Sequence, residues 1–229
     1  MLENLTKYAI IVAGGIGSRM GSNIPKQYLT LRGQPIFIHS IKAFLNADPY
    51  IKIILVVSNE FQKNAQQYIK EFLLTEEQKR IEITIGGETR FHSVNNGLQC
   101  IHKQGIVAIH DAVRCLVSSK MINNCYYQAQ LLGSAIPAVT ATDSIRIADK
   151  NENHAIDRST IKIIQTPQTF KTDLILKAFK SDYNNNFTDE ASVVEFIGEK
   201  VHLIDGDYNN IKITRPLDLI IAENILGNE

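Results

Sequence analysis

Val12-Ala13-Gly14-Gly15-Ile16-Gly17-Ser18-Arg19-Met20-Gly21, followed by Pro25-Lys26-Gln27, is the stretch whose reading decides the fold. An apolar, largely β-branched run from Tyr8 to Val12 leads into it and reads as a buried parallel strand. Gly14, Gly15 and Gly17 let backbone N–H groups approach a ligand without obstruction from a Cβ. Such N–H groups, with the positive end of a following helix, suit a polyanion. Arg19 and Lys26 add two positive charges, and Pro25 fixes its own φ and so limits where Lys26 points. The expectation is a strand ending in a turn that holds a nucleoside triphosphate. A tight strand-to-turn connection carrying two surface cations is the competing reading.

Two familiar glycine loops are excluded. A P-loop ends in Gly-Lys-Ser/Thr, whereas Gly21 is followed by Ser22-Asn23. A dinucleotide fingerprint counted from Gly15 needs a third small residue where Met20 stands, and an acidic residue about 20 positions further on. That later region is Phe37-Ile38-His39.

Working outward, strand and helix signals alternate. Ile36–Leu45 carries Ile38, Ile41, Phe44 and Leu45 at helical spacing and stops near Asp48-Pro49. Ile51–Val57 reads as a buried strand. Asn59 with Gln62 reads as an N-cap and capping box opening a helix with Phe61, Ala65, Tyr68, Ile69 and Phe72 on one face. Ile81–Ile85 is a third strand, ending in Gly86-Gly87-Glu88-Thr89-Arg90. A helix follows with Val94, Leu98 and Ile101, then a strand over Ile106–Ile109, ending in His110-Asp111. Four such alternations predict an α/β fold, a doubly wound, mostly parallel sheet. Ligands bind such sheets beyond the carboxyl ends of the strands, where the clusters around Gly15, Gly87 and Asp111 all fall.

The second half is less regular. Met121–Leu132 reads as a helix and Ala135–Val139 as a strand, which Pro137 assigns to an edge or a bulge. Residues 140–158 form a projecting β-arm: Ser144–Ala148 is strand-like, residues 149–153 are a turn, and the return limb reaches Asp157-Arg158. A hairpin with so few large apolar residues needs something to pack on, a partner subunit or the rest of the chain. Lys162–Ile164 and Val201–Ile204 read as further strands. Thr188-Asp189-Glu190 reads as a helix start with Thr188 as N-cap, and Pro216 and Gly227 bound the last helix.

Residues 1–229 are expected to form one domain. Lys+Arg and Asp+Glu are both 24, giving a formal net charge of zero, so neither nucleic acid nor a membrane surface is expected as the main partner. Cys100, Cys115 and Cys125 have no metal-ligand spacing and are expected as reduced thiols in a cytoplasmic protein. The N-terminus lacks the basic region of a signal peptide, and no apolar stretch reaches membrane-spanning length.

Eight stretches, in order and over nearly the whole chain, resemble the 2-C-methyl-D-erythritol 4-phosphate cytidylyltransferases. They are Ala13–Gly21, Pro25–Gln27, Gly86–Val94, His110–Arg114, Asp157-Arg158, Gln165–Phe170, Thr188–Ser192 and Asn210–Thr214. The resemblance implies a Rossmann-like nucleotidyltransferase that joins CMP from CTP to methylerythritol phosphate. It implies that Ala13, Gly14, Gly15, Gly87, Glu88 and Ser93 cradle the cytidine and its phosphates, and that Gly17, Arg19 and Lys26 line the triphosphate. Asp111 would sit near Mg²⁺ and the sugar alcohol, with Arg114 also on the substrate side. Arg19, Lys26 and Lys212 would stabilise the transferring group, and Arg158 and Thr188 would hold the polyol phosphate. It further implies a homodimer through the 140–158 arm, with Arg158 serving the neighbouring subunit. Two departures stand out: Cys115 replaces the family's usual proline, and residues 139–144 are a variant of the arm's Asp-Thr segment.

Other readings compete. Ribitol 5-phosphate cytidylyltransferase activity would use the same loop, lysines and CTP; a non-catalytic nucleotide-binding module would use the loop alone. Taken singly, Lys212 is also a solvated lysine, Arg158 a partner of Asp157 or Asp143, Asp111 a helix cap, and His110 a core residue.

Overall fold

The computed structural model describes residues 5–15 and 24–227. Gly17 and Arg19 lie outside the described residues. The elements run β1 (Thr6–Ala13), β2 (Thr30–Leu31), β3 (Gln34–Pro35), α1 (Ile36–Ala47), β4 (Lys52–Val57), α2 (Gln62–Phe72), α3 (Thr75–Gln78), β5 (Ile81–Ile85) and α4 (Arg90–Gln99). They continue with β6 (Gly105–Asp111), α5 (Ser119–Leu132), β7 (Ser134–Thr140), β8 (Ile145–Ala148), β9 (Asn153–Ile156), β10 (Lys162–Ile164) and β11 (Gln168–Lys171). The chain closes with α6 (Thr172–Ala178), α7 (Glu190–Phe196), β12 (Leu203–Asp205) and α8 (Pro216–Gly227).

The main sheet has the order β10-β7-β11-β6-β1-β4-β5, with β12 on the other side of β7. β6, β1, β4 and β5 pair in parallel, and β11 enters antiparallel between β6 and β7. Neighbouring residues of β1 face opposite sides, as the pleat demands. Ile11 joins Leu55, Ile41, Phe44 and Tyr126 in one core with α1, α2 and α5, while Ile10 joins Val56, Val94, Leu98, Phe170 and Val194 in another with α4, α6 and α7. Both faces are thus covered by helices, and the doubly wound reading holds. Among the described residues no helix is long and apolar enough to cross a membrane.

Three local expectations are corrected. Asn59 does not cap α2: residues 59–61 form a 3-10 turn after Ser58, and no side chain caps either start. Pro137 is not on an edge, because β7 is paired on both sides. It is tolerated where the partner of β7 changes from β11 to β10, and there its carbonyl accepts from Gln165 N at 2.8 Å. Thr188 does not cap α7; Asp189 does, accepting from Ser192 N at 2.9 Å while Ser192 Oγ accepts from Asp189 N.

The hairpin expected within residues 140–158 is present. β8 and β9 pair as a separate antiparallel ribbon, Ile145 opposite Ile156 and Ala148 opposite Asn153. Asp149 shapes the turn by accepting from Asn151 N and Glu152 N.

Candidate active site

A cavity of about 350 Å³ opens at the carboxyl ends of the central strands. Val12, Gly14 and Gly15 reach it from the end of β1, Gly87, Glu88 and Thr89 from the turn after β5, and Asp111 and Val113 from the end of β6. Arg90 and Ser93 enter from α4, and Lys26, Gln27 and Lys212 complete the wall. The wall therefore carries three cations and two carboxylates.

Each wall residue has a local reason for its place. Gln27 is buried, and its side-chain amide donates to the carbonyls of Ala13 at 2.6 Å and Gly15 at 2.8 Å, tying the glycine turn to the next segment. Lys26 opens a 3-10 turn closed by Tyr28 N bonding to Pro25 O. The turn is anchored where the Tyr28 ring stacks on Phe61 at 4.7 Å. Ser93 Oγ accepts from Gly87 N at 3.1 Å, which holds the second glycine turn against the first turn of α4. Thr89 caps that helix, accepting from His92 N. Lys212 lies in an irregular segment, not a strand. Ile213 N bonds to Val113 O at 3.0 Å, and Asn210 Nδ2 to Thr166 O at 2.9 Å, so both sides of Lys212 are pinned to the sheet.

Charge is organised around Asp111. Its Oδ2 meets Lys212 Nζ at 2.7 Å, and its Oδ1 meets Arg90 Nε and Nη2 at 3.2 Å. Arg90 also forks onto Glu190, with Nη1 on Oε1 and Nη2 on Oε2, the latter at 3.0 Å. Glu190 is 1 % exposed. Burial alone would push the Asp111 carboxyl up, but Arg90 and Lys212 hold it well below the usual carboxylate range. Burial opposes the Arg90 charge too, and is outweighed by Glu190 and Asp111, so Arg90 is held more firmly protonated. Burial raises Glu190, against the pull of Arg90.

Behind this layer His110 is fully buried. One ring nitrogen faces Thr166 Oγ1 and the other Arg114 O, both at 3.1 Å. Burial pushes its pKa down to about 4, so the ring is neutral at pH 7. The core reading of His110 holds. Asp111 caps no helix, since Ser118 caps α5. Cys115 and Cys125 are buried and Cys100 is half-buried, all as free thiols.

Of the expected residues, Gly14, Gly15, Lys26, Gly87, Glu88, Ser93, Asp111 and Lys212 come together on this wall. Ala13 touches it only through its carbonyl, which accepts from the Gln27 side chain. Three do not join it. Arg114 is turned away: its guanidinium donates to Asn210 O at 2.8 Å and Ile164 O at 3.3 Å, bracing the segment that carries Lys212. Thr188 lines a separate small cleft with Phe91, Phe179 and Phe187. Arg158 is exposed at the base of the arm, where it donates to Thr142 O at 2.8 Å, and it pairs with neither Asp157 nor Asp143. Sequence reasoning missed Arg90, Gln27 and Glu190 as site residues. The signal available was a cation and an acid inside two of the matching stretches, Gly86–Val94 and Thr188–Ser192.

Among the described residues no cluster of three or more His, Cys, Asp or Glu is placed to hold a metal ion. Mg²⁺ does not need one, because it keeps several waters and binds through one or two carboxylates plus substrate phosphates. Asp111 fits that role: it is ionised, faces the cavity, and its Oδ2 retains a lone pair beyond the bond to Lys212.

The family model described as "IspD: 2-C-methyl-D-erythritol 4-phosphate cytidylyltransferase" matches residues 8–228. A protein of that name from Phocaeicola vulgatus is 41% identical over 223 residues, covering 97% of this chain and all of the other. One from Clostridium botulinum is 43% identical over 224 residues, covering 96% and 98%. The crystal structure of the Francisella tularensis 2-C-methyl-D-erythritol 4-phosphate cytidylyltransferase matches with a TM-score of 0.77 at 34% identity, over 95% of this chain and 98% of that one. The 4-diphosphocytidyl-2C-methyl-D-erythritol synthase of Anaerococcus prevotii, at 24% identity, has the same fold with a TM-score of 0.83 over 99% and 98%.

Proposed function

The chain belongs to the 2-C-methyl-D-erythritol 4-phosphate cytidylyltransferase family, and from that premise we propose that it transfers CMP from CTP to 2-C-methyl-D-erythritol 4-phosphate, releasing pyrophosphate. The observation that carries this reading is the meeting of Lys26 and Lys212 on one cavity wall with the glycine turns. The reaction brings two anions together. The phosphate of the acceptor attacks the α-phosphorus of CTP, and the bond to the pyrophosphate oxygen breaks. An acceptor phosphate monoester has a second pKa of about 6 and is largely dianionic at pH 7, so no general base is needed. What remains is to align the two phosphates and neutralise the charge that develops.

The residues divide that work. The N–H groups around Gly14, Gly15 and Gly87 accommodate phosphate and cytidine close to the backbone. Lys26 and Lys212 supply charge that is already in place before the reaction, so little reorganisation opposes transfer. Asp111 holds the Lys212 ammonium in place, and the remaining lone pair of its Oδ2 suits a sugar hydroxyl. When bound, Mg²⁺ held by Asp111 would neutralise triphosphate oxygens. Arg19 belongs to the same reading on the strength of the resemblance.

The reading extends to a cytoplasmic homodimer. The β8–β9 ribbon exposes Ile147 and is too small to be stable unaided, and Arg158 at its base is not on the wall of the cavity that holds Lys26 and Lys212. A second copy taking the arm would give both a partner. The free thiols accord with a reducing compartment. The test of the activity is pyrophosphate release from CTP with methylerythritol phosphate and, in parallel, with ribitol 5-phosphate. Release with the first acceptor is expected; preference for the second overturns the choice of acceptor, and release with neither overturns the enzyme reading.

A further inference from the structure

Glu190 has no place in the chemistry above, yet it is the most deeply buried acid beside the cavity. It does not line the cavity itself. It is 1 % exposed, and both its oxygens take the guanidinium of Arg90. A carboxylate so buried is costly unless paired and hydrogen-bonded. The site that holds it is built for the purpose. The Gln168 side chain donates to Asp189 Oδ2 at 2.8 Å and accepts from Ala191 N at 2.9 Å, fixing the backbone on both sides of Glu190. The phenyl ring of Phe91 stacks on Phe179 at 4.7 Å and on Phe187 at 5.6 Å, closing the apolar side.

The charges then alternate along one line: Glu190, Arg90, Asp111, Lys212. Only the last three reach the cavity. Arg90 is shared: its fork faces Glu190, while Nε and Nη2 turn to Asp111 Oδ1. Without the Glu190 charge nothing would keep the guanidinium from swinging fully onto Asp111. It would then compete with Lys212 for that carboxylate or move onto the incoming triphosphate.

We propose that Glu190 is a positioning residue for nucleotidyl transfer: by clamping Arg90 it fixes how Asp111 is divided between Arg90 and Lys212, and so sets the position of the Lys212 ammonium. The proposal rests on the cytidylyltransferase reading, but its test is separable from it. Removing the clamp leaves the glycine turns and Lys26 untouched, so binding of CTP should survive while the chemical step suffers.

The experiment is a double-mutant cycle on the full chain, read by steady-state pyrophosphate release. Glu190→Gln is expected to lower kcat by about 10- to 100-fold, the scale of misplacing a catalytic group by about an ångström, with KM for CTP changed less than about threefold. In an Arg90→Gln background the same substitution should cost less than about threefold, because the residue it acts through is gone. Glu190→Asp, which keeps the charge, should recover part of kcat. Should Glu190→Gln fail to fold, the cycle is run with Glu190→Asp. Equal losses in both backgrounds, no recovery by Asp, or a loss confined to KM would overturn the proposal. A wild-type chain without pyrophosphate release would instead overturn the activity, and the proposal with it.

Discussion

The Lys26 ammonium donates to the backbone carbonyl of Ile213 at 3.0 Å, across 187 positions of sequence. That bond lays the side chain from the early turn beside Lys212, whose own ammonium is on Asp111. Two cations are thereby held on one wall that also carries both glycine turns. Like charges gathered in advance are costly to the free protein and useful to a reaction that must bring two phosphates together.

Replacing either ammonium tests that arrangement. Lys26→Ala and Lys212→Ala should each lower turnover by roughly 10²–10³, the effect of removing one preorganised donor to a developing oxyanion. Steady-state pyrophosphate release measures it. Unchanged turnover in both variants would remove these side chains from the mechanism.

His110 should give stability a pH dependence of its own. Its folded pKa is about 4, against an ordinary value of 6.5. Above pH 6.5 the ring is neutral folded or unfolded and costs nothing. As pH falls from 6.5 towards 4 the unfolded chain takes up a proton that the folded chain refuses, and stability declines. The full loss is about 3 kcal/mol at 1.36 kcal/mol per pH unit. Denaturant unfolding at pH 7.5 and pH 4.5 should therefore show a smaller drop for His110→Asn than for the wild type. Equal drops would mean that the buried ring is not the source.

The shared arm can be tested by mixing two inactive proteins. Arg158→Ala lacks the arm residue and Lys212→Ala lacks the cavity residue. If each site combines one subunit's cavity with its partner's Arg158, a mixed dimer regains one intact site of two. Random exchange should then restore about a quarter of wild-type activity. Activity no greater than that of the separate variants, or a monomeric solution mass for the wild type, would refute the shared site.

Much of this was legible from pattern alone. The apolar runs that became β1, β4, β5, β6 and β7 are short and bounded by turn residues, and the helices between them have clear faces, so periodicity was enough. The site was legible where glycine and lysine sit at strand ends. What escaped depends on pairing at long range. Nothing local marks β11 as the strand that slips antiparallel between β6 and β7. Nothing local joins Arg90 to Glu190 across 100 positions. The cap of α7 was missed by one residue because Thr188 and Asp189 are both good caps, and only the return bond from Ser192 separates them. Arg114 is placed on the substrate side by the resemblance alone, through the His110–Arg114 stretch. Burial instead turns it onto two carbonyls.

The place of β11 also governs when the enzyme can exist during its own synthesis. β7 touches β6 only by way of β11, and its other neighbours are β10 and β12. A nascent polypeptide that has delivered 140 residues already owns both glycine turns, Lys26 and Asp111, yet its growing sheet stops at β6 and leaves β7 waiting. Translation must reach Lys171 before the gap is bridged, and Glu190 and Lys212 emerge later still. The acid at the centre of the site therefore meets its ammonium partner among the last events on the ribosome, so that a truncated product inherits both glycine turns, Lys26 and Asp111 without Lys212 to face them.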